Sequence, residues 1–108
     1  MLSQILIEKY KNDGLIKSST QLSNAKINEI KFATENYLKN NQGKNNEFVS
    51  GLYEKDESFL KFAMFPEILE EVKQLIGNNV ILWGSSLFCK VEKMAGITYR
   101  FRIKYLVN

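Results

Sequence analysis

The spacing of apolar residues over positions 1–77 predicts a mainly helical N-terminal part. Apolar side chains recur there every three or four residues, which places them on one face of a helix. A first helix is predicted from about Ser3 to Asn12, with Gly14 as a left-handed stop. A second helix is predicted to follow Ser23, whose hydroxyl can cap its first turn, and to continue to about Lys39.

Residues 48–77 are predicted to form a short strand and two further helices. The strand would run from Phe48 to Tyr53. Asp56 is placed to cap a brief helix, and Pro66 suits the first position of a longer helix that ends at Gly77. The brief helix would carry two aromatic side chains inward, those of Phe59 and Phe62.

From residue 78 onward the pattern becomes that of strands. A strand is predicted over Val80–Lys90, and Ile97–Val107 alternates between apolar and polar residues, which is typical of a half-buried strand. The two are expected to pair as a hairpin through the segment "VEKMAG". Helices followed by strands predict an α+β fold. We expect one domain over 1–108, with helical support over 1–77 and strands over 78–108.

Charge is distributed unevenly along the chain, which carries a net charge of +3. Up to residue 89, ten lysines oppose eleven carboxylates, whereas five cations oppose the single carboxylate of Glu92 after it. Both arginines lie in this last stretch, at Arg100 and Arg102. The composition therefore changes near Lys90.

The overall composition is that of a globular protein, with 44% apolar and 25% charged residues. The sequence has no run of apolar residues long enough to span a membrane and no basic leader. Its single cysteine, Cys89, excludes an internal disulfide. These features predict a cytoplasmic protein without a membrane partner.

The absence of histidine excludes most catalytic arrangements. A Ser-His-Asp triad and a Cys-His pair cannot form, and a metal site with imidazole ligands cannot form either. The carboxylates of Glu67, Glu70 and Glu71 fall within about one helical turn and are interpreted as a solvated face. Cys89 lies in an apolar strand without a partner base and is interpreted as buried packing rather than a nucleophile. No catalytic residue and no metal ligand is predicted.

The last strand raises the question of nucleic-acid binding. Its cations would share one face: Arg100, Arg102 and Lys104. Its aromatic residues would occupy the other: Tyr99, Phe101 and Tyr105. Bases could then not stack where phosphates bind. A solvated strand face is the preferred interpretation, and nucleic acid is not an expected partner.

Several segments stand in an order that carries a family resemblance. "YKNDGLI" at 10–16 contains the pair Asp13-Gly14, and "LSNAKINEI" opens the second helix. "EKDESFLKFAMFPEILEEVKQLIGNNVILWGSSLFCK" then contains the Pro66 helix start, Gly77 and the strand Trp83–Lys90. In order and approximate spacing, these segments resemble the N-terminal region of the phytanoyl-CoA dioxygenase family. The resemblance extends over residues 5–90.

The resemblance implies a non-haem Fe(II) and 2-oxoglutarate-dependent oxygenase that acts on a small-molecule substrate. It implies N-terminal helices packed on the first strands of a double-stranded β-helix, or jelly-roll, core that is incomplete here. In such a fold Ser86 and Lys90 would lie near the co-substrate, as cofactor-binding positions. Trp83 and Phe88 are expected to lie in the core rather than in a substrate wall.

The sequence departs from the family pattern after Lys90. Family members carry His-x-Asp shortly after this lysine, supplying two of the three iron ligands of a facial triad. This chain has "GITYRFRI" instead, and a guanidinium cannot serve as a ligand. One hypothesis is that the residues after about Lys90 are read from a shifted frame or belong to a broken gene. The regular alternation of Ile97–Val107 counts against it.

The sequence is therefore compatible with two functions. The first is a truncated, inactive N-terminal portion of an oxygenase, for which neither Fe(II) nor 2-oxoglutarate is expected to bind to this chain. The second is a small non-catalytic α+β binding module that uses its basic strand face or its sheet edge. If the chain is an incomplete oxygenase fold, its open sheet edge is expected to favour self-association.

Overall fold

The structure is a computed structural model that describes residues 1–42, 48–92 and 96–107, with side chains described outside 90–99. Its element order is helices, a short strand, more helices and a long hairpin. Among the described residues, no helix has both the length and the apolar character needed to cross a membrane. Within the described ranges, five helices and a three-stranded antiparallel sheet confirm the predicted α+β class.

Helices α1 (Gln4–Asp13) and α2 (Asn24–Asn40) begin and end within about one residue of their predicted bounds. The Ser3 hydroxyl accepts a hydrogen bond from the Leu6 amide at 3.3 Å, and Gly14 ends α1 with φ 76°. Ser23 caps α2 through the Lys26 amide at 3.2 Å. Local capping chemistry therefore sets these ends.

Strand β1 (Phe48–Ser50) is shorter than the sequence predicted. The backbone turns at Gly51, whose φ of 65° is left-handed, and enters the one-turn helix α3 (Leu52–Lys55). Leu52 is completely buried in the core, so burial of this side chain favours the turn over continuing the strand. Helices α4 (Glu57–Ala63) and α5 (Pro66–Ile76) follow, with Asp56 capping α4 through the Ser58 amide as predicted.

Strands β2 (Val80–Glu92) and β3 (Gly96–Val107) pair as the expected antiparallel hairpin. Residues 93–95 of its "VEKMAG" connection lie outside the described residues. Strand β1 adds to the other side of β2, so the sheet order is β1-β2-β3. The register shifts between Leu82 and Gly84, which leaves Trp83 as the extra residue of a β-bulge.

The core lies between one face of the sheet and the helices, and this sheet face is called the inner face. Fully buried Phe59 is its centre, 5.6 Å between ring centroids from both Phe62 and Phe101. Val49 and Leu87 contribute the sheet side of the same cluster. The predicted inward orientation of Phe59 and Phe62 is therefore confirmed.

The N-terminal segment contacts α5 through both polar and apolar groups. The Leu2 amide donates to the Gln74 side-chain oxygen at 2.9 Å, and Leu2 itself is buried. Within α1, Leu6, Ile7 and Tyr10 are half-buried, whereas Ile5 is 81% exposed. Helix α1 therefore lies on the surface of the protein, without a fully buried residue.

Candidate functional site

The opposite face of the sheet, called the outer face, carries cations and aromatic rings side by side. Phe48 pairs with Phe88 across β1 and β2, and Ser86 pairs with Arg102 across β2 and β3. Because directly paired residues point to the same side of a sheet, all four belong to the outer face. None of these four residues belongs to the buried core.

A concavity of about 430 Å³ lies on the outer face, where β1 ends and α3 begins. The turn at Gly51 leads into α3, which contributes Glu54 to the groove, and β3 contributes Arg102 and Lys104. Its main side chains are Glu54, Trp83, Ser86, Phe88, Arg102 and Lys104. It is an open groove formed by three strands and the β1–α3 turn.

Two rings and the Arg102 guanidinium lie close together in this groove. The ring centroids of Phe48 and Phe88 are 4.9 Å apart, and the Arg102 guanidinium carbon lies 5.3 Å from the Phe88 centroid. That distance is within the range of a cation–π interaction. A guanidinium that lies over a ring can still donate its N–H groups to an anion.

The bulge at Trp83 turns this side chain to the outer face. On either side of the bulge, Leu82 pairs with Tyr105 and Gly84 pairs with Lys104, so the inner–outer alternation is offset by one residue. Trp83 is consequently 60% exposed, and Phe88 is 37% exposed. The expectation that Trp83 and Phe88 lie in the core is therefore wrong, because simple alternation contains no signal for the bulge.

The same offset buries Ser85 on the inner face. Its hydroxyl accepts a hydrogen bond from the Tyr53 amide at 3.2 Å, which satisfies a polar group that is 1% exposed. This contact ties the bulged part of β2 to α3. The hydrogen bond therefore helps to hold the groove residues of β2 in place from the inner side of the sheet.

Ser86, a sequence-predicted cofactor-binding position, lies half-buried on the outer face and lines the groove. For Lys90, the second such position, the backbone pairs with Thr98 in the hairpin, and its side chain lies outside the described residues. The structure thus brings Ser86 next to Arg102 and Phe88, which the sequence pattern did not associate with it.

Within β3, cations and aromatic rings lie on opposite faces, as expected for the last strand. In the sheet as a whole they do not. Phe101 and Tyr105 do lie on the inner face, where Phe101 packs against the core and the Tyr105 hydroxyl donates to the Ala63 carbonyl at 2.6 Å. However, β1 and β2 place Phe48 and Phe88 on the cationic face. The reason given for discounting nucleic acid is therefore wrong. Strand pairing could have been the signal, had the register been known.

Cys89 packs against the core cluster from β2, on the inner side of the sheet. Burial raises the pKa of its thiol, so the neutral form is favoured. A neutral thiol is a poor nucleophile. Its predicted role in packing agrees with this position.

The acidic cluster on α5 makes specific contacts instead of forming a merely solvated face. The Glu67 carboxylate accepts from Lys26 of α2 at 2.6 Å and 2.7 Å, and this hydrogen bond holds the pKa of Glu67 below its usual value. The Glu71 carboxylate accepts from the hydroxyls of Ser18 and Thr20. The pattern that predicted a solvated face could not reveal these contacts of Glu67 and Glu71, because their partners are distant in sequence.

This groove contains few side chains that could coordinate a metal ion. Glu54 is its carboxylate, and Ser50 and Ser86 add hydroxyls. Across the part of the chain that the structure describes, no three His, Cys, Asp or Glu residues group closely enough to hold a metal ion. The groove is instead suited to an anion with planar groups, since it combines cations with exposed rings.

No protein-family model matches this chain, and neither a curated protein nor a solved structure matches it.

Proposed function

We propose that this chain is the N-terminal part of a phytanoyl-CoA dioxygenase-like fold and that it supplies structure rather than iron chemistry. The observation that carries the proposal is the one-sided covering of the sheet. Helices cover the inner face, whereas the outer face exposes Phe48, Trp83 and Phe88. An antiparallel sheet with one solvated face normally presents polar residues there. Exposed rings on an uncovered face are typical of a surface that receives another layer or a ligand.

In a double-stranded β-helix, a second sheet packs face to face on the first at about 10 Å. The outer face would then become the interior of the barrel, and Ser86 would line its pocket. The accessible surface area supports this view. It is 7994 Å², which exceeds the roughly 6200 Å² typical of a compact monomer of this mass. The radius of gyration of 15.4 Å likewise exceeds the roughly 13 Å of a compact domain.

Fe(II) and 2-oxoglutarate are the cofactors that the resemblance implies, and the residues present do not fit the iron. A facial triad takes two histidines and one carboxylate, and the sequence contains no histidine. In the groove, Glu54 lies with Arg102 and Lys104, whose charged groups have no lone pair to offer a metal. The proposed role of the chain is accordingly structural.

The test is the nucleotide sequence from the Val80 codon past the Asn108 codon, translated in all three frames. We expect His-x-Asp in a neighbouring frame soon after Lys90. The protein with the restored frame should bind Fe(II) and 2-oxoglutarate, whereas titration calorimetry of the present chain with both should show no binding. Absence of the motif from every frame, or binding of both by the present chain, would contradict the proposal.

A second candidate function is a small non-catalytic binding module that uses the outer face. The observation that favours it is the Arg102 guanidinium stacked on Phe88 beside the exposed rings of Phe48 and Trp83. Binding of an anionic partner that weakens with salt and requires Arg102 would support this function.

A further inference from the structure

We propose that the outer face binds single-stranded nucleic acid, with bases stacked on its exposed rings and phosphates on its row of cations. This inference deepens the second candidate function and rests on it. Single-strand binding surfaces combine these two elements: a positively charged track for the backbone and aromatic side chains for the bases.

The cationic track is the outer side of β3. Arg100, Arg102 and Lys104 are exposed at alternate positions, so their side chains point the same way at intervals of about 7 Å. Arg102 is held by Phe88, which orients its guanidinium and lowers the entropy lost on binding a phosphate. Among the described side chains of the groove, Glu54 is the acidic one, and it lies on α3.

The stacking platform lies on β1 and β2, beside the track. Trp83 and Phe48 are 60% and 54% exposed, and both line the same groove as Arg102. Rings this exposed are costly to keep in water. Stacking on a base removes them from water without requiring a particular sequence, since every base has a π-face.

Charge distinguishes this partner from the alternatives. A second copy of the chain placed face to face would bring two rows of Arg100, Arg102 and Lys104 together, and like charges repel. An acidic polypeptide would satisfy the cations but would leave the rings without planar partners. A duplex hides its bases within the stack, so it would use the cations alone.

The single tryptophan of the chain provides a direct probe, because Trp83 lies in the groove. Oligothymidylate of about 12 nucleotides should quench Trp83 fluorescence in a saturable manner. With three phosphate contacts, a plot of log affinity against log salt concentration should have a slope of about −2. Binding should therefore weaken roughly 20-fold when the salt concentration rises from about 50 to 200 mM. The duplex of the same length and polyglutamate should bind more weakly and leave the fluorescence unchanged.

Matched variants separate the groove from general charge and hydrophobicity. Arg102→Ala should weaken binding and reduce the salt slope by about 0.7, whereas Lys31→Ala, with the same change of charge on α2, should do neither. Phe48→Ala should weaken binding about 5- to 150-fold. Phe32→Ala, which removes a 73% exposed ring from α2, should have no effect.

The inference is overturned if oligothymidylate neither binds nor quenches, if the duplex binds equally well, or if the control variants weaken binding as much as the groove variants. Tighter binding of polyglutamate than of oligothymidylate would also overturn it. In that case the partner is an acidic protein and the binding-module function survives. Fluorescence of the unmodified chain decides the question without any variant.

Discussion

Phe59 is the residue through which the separate parts of the core meet. Its ring contacts Tyr37 of α2 at 6.5 Å, Phe62 of α4 at 5.6 Å and Phe101 of β3 at 5.6 Å between centroids. It is completely buried, so no solvent can fill the space if the ring is removed. The cavity adds to the lost transfer free energy, and the cost depends on how far the neighbouring rings can collapse.

We expect Phe59→Ala to lower the free energy of unfolding by about 3–5 kcal/mol. Urea denaturation followed by circular dichroism would measure this value. Phe32→Ala is the control, since its ring is 73% exposed, and it should change stability by less than about 0.5 kcal/mol. Equal effects of the two variants would show that Phe59 is not the centre of the core.

Tyr105 is a second residue whose burial has a measurable consequence. Burial raises the pKa of its hydroxyl to about 12, from an ordinary value of 10.0, and the hydroxyl donates to the Ala63 carbonyl at 2.6 Å. The folded state therefore holds this proton more tightly than the unfolded state. The stabilisation is fully present below pH 10 and is lost as the pH rises toward 12.

We expect the melting temperature to fall more steeply between about pH 10 and pH 12 for the wild type than for Tyr105→Phe. The variant keeps the ring but has no proton to lose, so it isolates this residue from the other tyrosines and from the lysines. At neutral pH it should be less stable by about 1 kcal/mol, because the hydrogen bond to Ala63 is absent. Parallel pH profiles of the two proteins would contradict the assignment.

The β1–α3 turn is the local element that shapes the groove. Gly51 adopts φ 65°, which directs the chain out of the sheet and into α3, which contributes Glu54 to the groove. A Cβ at this position would find space, with its nearest atom on the Glu54 carboxylate at 3.5 Å. The constraint is therefore the left-handed backbone and not steric contact.

Gly51→Ala should consequently destabilise the protein by about 1–2 kcal/mol, the cost of a left-handed alanine. Gly51→Asn should retain more stability, since asparagine tolerates this conformation. Thermal unfolding of the two variants would measure the difference. Equal losses would indicate that space limits this position instead.

The arrangement of the whole sheet leaves β3 as an edge strand. Over the described residues β3 pairs with β2 alone, and Leu106 near its end is 40% exposed. A long edge strand with exposed apolar residues is a template for pairing with another chain. The cations of the outer face oppose stacking through that face, so the edge is the favoured route of association.

We expect the chain to associate with rising concentration, as sedimentation velocity would show. Leu106→Lys should shift the protein toward the monomer, because a lysine on an edge strand disfavours further pairing. Leu60→Lys places the same substitution at a 43% exposed position on α4 and should leave association unchanged. A wild-type chain that stays monomeric at high concentration would contradict the role of the edge.

Local signals in the sequence determined helices α1, α2, α4 and α5 and the hairpin, but not the short helix α3. Ser3, Ser23, Asp56 and Pro66 act on their own first turns, and Gly14 ends α1, so their effects need no knowledge of distant residues. The alternation over Ile97–Val107 likewise identified a strand with one buried face. Such features depend on neighbours within a few positions, which is why the pattern alone predicts them.

Tertiary structure alone decided the composition of the outer face. The bulge at Trp83 is set by the pairing of β2 with β3, and the register of Phe48 against Phe88 is set by pairing between residues 40 positions apart. These pairings moved Trp83 and Phe88 out of the expected core and placed them with Arg102. A one-residue offset reverses which side of a strand each side chain occupies. The candidate site therefore follows from strand register, which the sequence pattern does not specify.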